Sequence, residues 1–477
     1  AAAVPLALLT VREAQVAGGA GFPLDDSWIH LHFARNLAEG AGFSYNPGVP
    51  VAGSTAPLWT LLLAAGAALA GASLAMAKTL GVAAALGAAL LLRRAAVAWG
   101  APPAAALVAG VALPWTAAMA WGALSGMEVT LAALLVAAAL LAHARAHAWW
   151  TALWASLAVL ARPEAVLLLP LLAFARPPGW RRAAVMAAVA AAALAPAVAF
   201  SYATVGAPYP ATAAAKVEGG LLGLLAGLRE PAGHTLVGRP WQFTTEWARW
   251  LATTHWLLPL ALPFALPLAW VRAGRALGLP ALALVAHPLG MALLAPYRGP
   301  GFQEGRYSTH LLPVALLVLA VAAGGLPERA RRGALALWLA LALVALPAAA
   351  DRYAWGVQNI NAMQVHLGRW IDAHLPRRAT LAVNDIGAIA YVSRRPIVDL
   401  MGLVTPAIIP YRRQGEDGIV RYLASVCPDY VVIFPSWFPA LSARRDLLEE
   451  VYRVGLARVE VAGGAEMVVY RVARCAV

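Results

Sequence analysis

The sequence predicts an all-α polytopic membrane domain, with about eleven transmembrane helices, followed by a small external α/β domain. Three observations carry this. The 477 residues are 61% hydrophobic and only 12% charged, whereas a soluble domain is about 45–50% apolar and about 25% charged. Long apolar runs succeed one another up to residue 350, separated by short basic clusters. From Asp351 charges become frequent and apolar runs shrink to strand length. The same composition excludes a water-soluble enzyme, and disorder too, which needs low hydrophobicity and high charge. The net charge of +13 arises from 36 Lys+Arg against 23 Asp+Glu. No basic patch is interleaved with aromatics, so nucleic acid is not an expected partner; the partner implied is the bilayer.

The membrane domain spans residues 1–350 and carries a first external loop at 18–73. Ala1–Val11 is apolar but too short to cross a bilayer, so it reads as the end of a first membrane helix. Pro57–Ala70 is a short run expected in the interface. Leu74–Leu92, Ala104–Trp121, Val129–Leu141, Trp149–Leu160, Ala165–Ala175, Ala183–Tyr202, Trp247–Val271, Leu277–Ala295, Leu311–Gly324 and Gly333–Ala349 follow. Basic clusters at Arg93, Arg145, Arg181, Arg272 and Arg331 each follow an outward-to-inward span when placed on one side, the positive-inside pattern. The loops at 122–128, 161–165, 203–246 and 297–310 then lie outside with the first loop. Spans shorter than about 17 residues suggest re-entrant segments around 149–176.

Residues 351–477 form the second domain. Ala379–Val383, Ile397–Leu400, Tyr430–Phe434 and Met467–Val472 read as strands. Val357–His374, Gly418–Val426 and Leu441–Val454 read as helices, an alternation that suggests an α/β fold. Cys427 and Cys475 are the two cysteines, and an oxidising compartment permits a bond between them.

The first loop contains Asp25-Asp26. Adjacent carboxylates repel and cost solvation, so the pair points to a metal, a cationic partner or acid/base work. Asp26 is equally suited to cap a helix over Ser27–Leu37. The loop continues Ala34-Arg35-Asn36-Leu37, Gly40-Ala41-Gly42, Asn46-Pro47-Gly48 and Ser54-Thr55-Ala56-Pro57-Leu58-Trp59. With Asp25-Asp26, these motifs resemble the first periplasmic loop of the glycosyltransferase C superfamily, nearest in motif to the terminal arabinofuranosyltransferase of mycobacterial arabinogalactan and its bacterial relatives. Further likenesses run in order along the chain: Leu124–Glu128, Ala161–Glu164, Pro208–Lys216, Gly305–Tyr307 and Val383–Ala388. The chain departs from relatives at Pro208-Tyr209-Pro210-Ala211-Thr212, where Leu-Pro-Asn-Thr is common.

The resemblance implies an inverting transfer of sugar from a polyprenyl phosphate to an acceptor hydroxyl of a glycan, lipid or protein. It implies Asp25 as general base, with Asp26 orienting the acceptor or a metal. A carboxylate within hydrogen-bond reach can take the hydroxyl proton, and cations can stabilise the charge developing on the leaving phosphate. Arg162, Lys216, Arg298 and Arg306 are the cations of the outer loops; Arg306, Lys216, Arg162 and Tyr307 are the candidate phosphate ligands. Against these stand headgroup snorkelling for Arg162, an ion pair of Arg306 with Glu304, and simple solvation for Lys216. Glu128, His30 and Thr55 are candidate acceptor or sugar ligands, although Glu128 also suits a helix N-terminus and His30 and His32 suit structural roles. His143 and His147 fall on the inner side and are discounted as ligands. No metal ligand is assigned: a divalent metal stays open and no prosthetic group is expected. The expected location is the bacterial inner membrane, multi-pass, with the site and the α/β domain facing the periplasm. The alternative function is a non-catalytic relative, a lipid-binding or scaffold subunit of a membrane complex.

Overall fold

The computed structural model describes residues 3–217, 219–225, 227–294 and 296–473. Among these, five helical stretches are long and apolar enough to cross a membrane: Leu74–Ala98, Gly179–Val205, Leu257–Leu294, Phe302–Gly325 and Glu328–His374. Pro103–Trp115 and Ala117–Leu124 form a sixth if their 57° bend lies within one span. Pro57–Ala70, Val129–Ala144, Ala148–Ala161 and Pro163–Phe174 are shorter apolar helices.

Basic residues cluster at one end of the bundle. Arg182 reaches His143 at 2.8 Å, His143 reaches the Ala276 carbonyl at 2.8 Å, and Arg176 donates to the Ala144 carbonyl at 3.3 Å. His143 is thereby held as a structural histidine. Arg272 lies against the turn at Gly324-Gly325. The segments with Asp26, Glu128, Arg162, Lys216 and Arg306 meet one another elsewhere.

Two spans depart from expectation. Trp247–Val271 is not one helix. The chain breaks at His255 (φ −166°, ψ 124°), leaving an amphipathic helix Arg239–Thr254 before Leu257–Ala281. Glu246 and Arg249 lie in that first piece and keep it polar on one face. Helix 257–281 is itself broken at Gly274 (φ 60°), between Arg272 and Arg275, so a turn does fall where the basic cluster predicts one. No linker marks residue 351: helix Glu328–Ile360 runs on through Asn361–Val365 and His366–His374, a continuous rod from the bundle into the α/β domain.

That domain holds a five-stranded sheet of β1 (Leu381–Val383), β2 (Ile397–Asp399), β3 (Tyr430–Ile433), β4 (Leu448–Gly455) and β5 (Glu466–Val472). The order is β2-β1-β3-β5-β4. β1 is parallel to β2 and β3, and β5 is antiparallel to β3 and β4. β4 corrects the helix expected over Leu441–Val454: its Glu449 and Arg453 pair across to Arg471 and Glu466 of β5. The possible Cys427–Cys475 bond lies outside the described residues, because Cys475 is not among them.

The first external loop folds into helix Asp25–Ala38, which packs between helix Pro57–Ala70 and a short helix of the α/β domain, Gly387–Ser393. Burial on both sides explains why eleven of its fourteen residues are buried. Its polar groups are matched locally: Asn36 donates to the carbonyls of Ser44 and Tyr45 at 3.0 and 2.8 Å, and His32 meets the Tyr45 carbonyl at 2.9 Å.

Candidate active site

Asp25 and Asp26 open helix 25–38 but neither is its cap. The capping position is Leu24, extended and without a side-chain bond. Successive helical residues point about 100° apart, and the two carboxylates accordingly find different partners. Asp25 is 6% exposed. Its oxygens accept the amide protons of Gly387 at 2.5 Å and Ala388 at 2.8 Å. Burial, then the Asp385 charge, push its carboxyl well above the usual carboxylate range, although these two amides oppose the shift. Asp26 instead forms an ion pair with Arg306 at 2.6 Å. Burial alone would raise the Asp26 carboxyl, but Arg306 and Lys216 hold it down at about 2.

Arg306 follows an unusual turn. Gln303, Glu304 and Gly305 all have positive φ (50°, 58° and 74°), a conformation that costs a non-glycine residue about 1–3 kcal/mol and persists only where surroundings impose it. Trp250 donates its indole N–H to the Glu304 carbonyl at 3.0 Å. Arg352 grips the Glu304 carboxylate with two bonds, at 2.8 and 3.2 Å. Glu304 is therefore the partner of Arg352, not of Arg306. The Arg306 guanidinium is 3% exposed; Nη2 donates to the Tyr307 hydroxyl at 3.1 Å, while Nε and Nη1 have no hydrogen-bond partner among the described residues. Buried donors are nearly always paired, so Nε and Nη1 are candidate contacts for an acceptor.

Arg162 lies beside it. The side chain is 3% exposed, so it does not snorkel. It holds Glu128 at 2.6 Å and Glu164 at 2.9 and 3.1 Å, and stacks on the Tyr307 ring at 4.5 Å. Glu128 is fully buried and its second oxygen faces His30 Nε2 at 3.4 Å. His30 Nδ1 meets the Thr60 hydroxyl at 3.1 Å and that of Ser54 at 3.4 Å. Glu128 and His30 thus belong to one buried polar network with Arg162.

A cavity of about 860 Å³ opens alongside. Thr55, Arg162, Lys216, Arg298, Tyr307 and Arg413 line it with polar atoms, and Leu58, Leu61, Leu194, Phe200, Leu222 and Met291 are among its apolar walls. Lys216 rests 5.4 Å from the Tyr297 ring. The 211–216 segment is fastened to the α/β domain: Arg412 donates to the Ala215 carbonyl at 2.9 Å and Thr212 to the Leu403 carbonyl at 3.2 Å. Thr212 also bonds the Gly53 carbonyl, so the divergent Pro208–Thr212 segment still packs onto the first loop. Among the described residues no group of three His, Cys, Asp or Glu is arranged to hold a metal. The structure brings Asp26, Arg162, Lys216, Arg306, Tyr307, Glu128 and His30, all named from the sequence, close to one another. Sequence reasoning missed Arg352, Arg413 and Asp385, of which only Asp385 lay in a recognised motif.

The architecture has relatives among solved structures. ArnT from Cupriavidus metallidurans bound to undecaprenyl phosphate superposes with a TM-score of 0.61 at 15% identity, over 99% of this chain and 98% of ArnT. Its apo state gives 0.62 at 16%, over 99% and 97%. The oligosaccharyltransferase AglB from Archaeoglobus fulgidus, in complex with an inhibitory peptide and a dolichol-phosphate, gives 0.54 at 13%, over 91% and 69%. The chain therefore has the glycosyltransferase C fold, an α-helical multi-pass membrane body with a small α/β domain. Residues 358–470 match a domain of unknown function (DUF8728). No curated protein matches the chain.

Proposed function

We propose that the chain is an integral membrane glycosyltransferase that moves a sugar, with inversion, from a polyprenyl-phosphate donor to an acceptor hydroxyl on the outer face of the bacterial inner membrane. One observation carries the reading: buried Arg306 has Nε and Nη1 without partners among the described residues, next to Asp26 and to Tyr307, which lines the apolar cavity. The solved neighbours bound to undecaprenyl phosphate and to a dolichol-phosphate support a lipid phosphate as the acceptor that Arg306 would hold.

In this reading the prenyl chain lies along the apolar wall and the phosphate meets Arg306 at its Nη1 edge, with Lys216 adding positive charge and Arg162, paired with Glu128 and Glu164, stacked on Tyr307. The acceptor oxygen attacks the anomeric carbon from the face opposite the phosphate. Its proton passes to a carboxylate, the sugar–phosphate C–O bond breaks, and the bonding pair leaves on the phosphate as a monoester. Asp26 is the better base. Asp25, the residue expected in that role, has both oxygens occupied by amides, and it acts instead to hold the helix. Asp26 starts as a weak base because Arg306 neutralises it. When the phosphate draws the guanidinium away, Asp26 loses that stabilisation and becomes more basic, so donor binding prepares the base. Glu128, His30 and Thr55 remain the candidate acceptor or sugar ligands. The first-loop likeness makes polyprenyl-phosphate arabinofuranose the first donor to assay, followed by hexosyl donors. Purified protein should turn over one of them; Asp26→Asn should lose about 10²–10⁴-fold while still binding donor. Transfer at the wild-type rate by Asp26→Asn would return the role to Asp25.

A further inference from the structure

The motif Asn384-Asp385-Ile386-Gly387-Ala388 belongs to the α/β domain, yet its backbone meets the membrane domain. Gly387 and Ala388 donate to Asp25. A Cβ on Gly387 would lie 2.1 Å from the Asp25 carbonyl oxygen and 2.8 Å from Oδ2, so only glycine lets the segments approach. Tyr45 of the first loop donates its hydroxyl to the Ile386 carbonyl at 2.8 Å. On its other side the motif is anchored in the sheet: the Asn384 side chain accepts the Phe434 amide at 3.2 Å.

Asp385 completes the junction. Its carboxyl is within hydrogen-bond reach of Asp25, and it accepts the Gln364 amide at 2.6 Å. Gln364 is fully buried. Two carboxylates so close in a dry site cannot both be charged without a cation between them. The groups acting most strongly on the pair are Asp26, Asp399, Gln364 and the Gly387 and Ala388 amides, with the Tyr45 hydroxyl facing both carboxyls; among the described residues these leading neighbours include no cation. A proton is what can join them, as in other paired acids.

We propose that Asp385 is a positioning residue for the transfer reaction: by sharing one proton with Asp25 across the domain boundary, it locks the start of helix 25–38 and so aims Asp26 at Arg306. This gives the α/β domain, including the segment matched as a domain of unknown function, a part in the site. The inference rests on the transferase reading, but its first measurement does not.

The test uses the full-length protein in detergent. Asp385→Asn replaces the shared proton with an amide N–H, which can still donate to Asp25. Asp385→Leu keeps the volume and removes the bond. Hydrogen exchange at the peptide holding Gly387 and Ala388 reads the junction directly. Asp385→Leu should lose protection there by about tenfold or more, and Asp385→Asn should keep it. In the donor assay Asp385→Leu should lose about ten- to a hundredfold in kcat, as a misplaced reacting group does, with donor KM unchanged. Asp385→Asn should stay near the wild type, because the bond itself is retained. Unchanged exchange in Asp385→Leu overturns the proposal, and so does damage from Asp385→Asn equal to that from Asp385→Leu. If wild-type protein transfers no sugar from any donor, the transferase reading fails, and the exchange result still decides the junction.

Discussion

Replacing Arg306 tests the centre of the site most directly. Arg306 is 3% exposed and has one terminal nitrogen on Asp26 and Tyr307. Nη1 and Nε have no partner among the described residues and are the proposed contacts of the donor. Arg306→Lys keeps one positive charge but cannot offer the planar fork. Losing one preorganised donor to a developing anion typically costs about 10²–10³ in kcat, so Arg306→Lys should lose activity within that range and Arg306→Gln should lose as much as its upper end or more. The folding cost is smaller. Removing one partner of a fully buried pair costs about 3–5 kcal/mol, but the Asp26 side chain is 28% exposed and Lys216 also acts on it. A loss of about 1–2 kcal/mol is expected for Arg306→Gln, and less for Arg306→Lys. Turnover at saturating donor, donor affinity and melting temperature should be measured on the same preparations. Wild-type turnover in Arg306→Lys would refute the clamp, as would activity losses that merely track melting temperature.

The turn before Arg306 gives a second prediction: Glu304→Gln and Arg352→Gln should each lower donor affinity, and the double variant should be no worse than the singles, because both release one bond pair; additive losses in a double-mutant cycle would contradict it. The Asp25–Asp385 pair sets a pH dependence. Burial raises Asp385 to about 6 and also raises Asp25 well above its ordinary value, near 4 when unfolded, so the folded state holds protons that the unfolded chain has lost. Its stability contribution is full below pH about 4 and declines as pH rises through about 6 and beyond; melting scans at pH 4.5 and pH 8 should show a smaller drop in Asp385→Asn than in wild type, and equal drops would exclude the shared proton. Gly387→Ala should lower the melting temperature and turnover together, since its Cβ would overlap the Asp25 carbonyl oxygen at 2.1 Å and forced overpacking costs about 1–3 kcal/mol; a wild-type melting curve would show that the junction can give way.

What the sequence disclosed follows from the range over which each signal acts. Apolar length and basic clusters are local and additive, so the membrane class and most helix ends were legible. Trp247–Val271 misled because its tryptophans are as apolar as lipid-facing residues while Glu246 and Arg249 reach the polar side of a separate helix. β4 misled for a related reason. Glu449, Glu450 and Arg453 have the three-to-four spacing of a helix face, but their charges are satisfied across strands by Arg471 and Glu466, a pairing visible only once β5 is beside them. The site divides the same way. Arg162, Lys216 and Arg306 lie in loops that the basic-cluster pattern placed on one side, and such a pattern is readable from the sequence. The division of labour inside Asp25-Asp26 was not. Two neighbours on a helix differ by about 100° in direction, and that angle decides nothing until the surroundings are known. Here one direction leads to amides 362 and 363 residues away in sequence, the other to a buried arginine 280 residues on. Chemically equal side chains thus acquire opposite electrostatics: one carboxyl is held where protons are retained, the other where they are shed. In the proposed transfer the two states would serve side by side: a fixed acid that joins two domains, and a carboxylate whose basicity rises when its arginine turns to the donor.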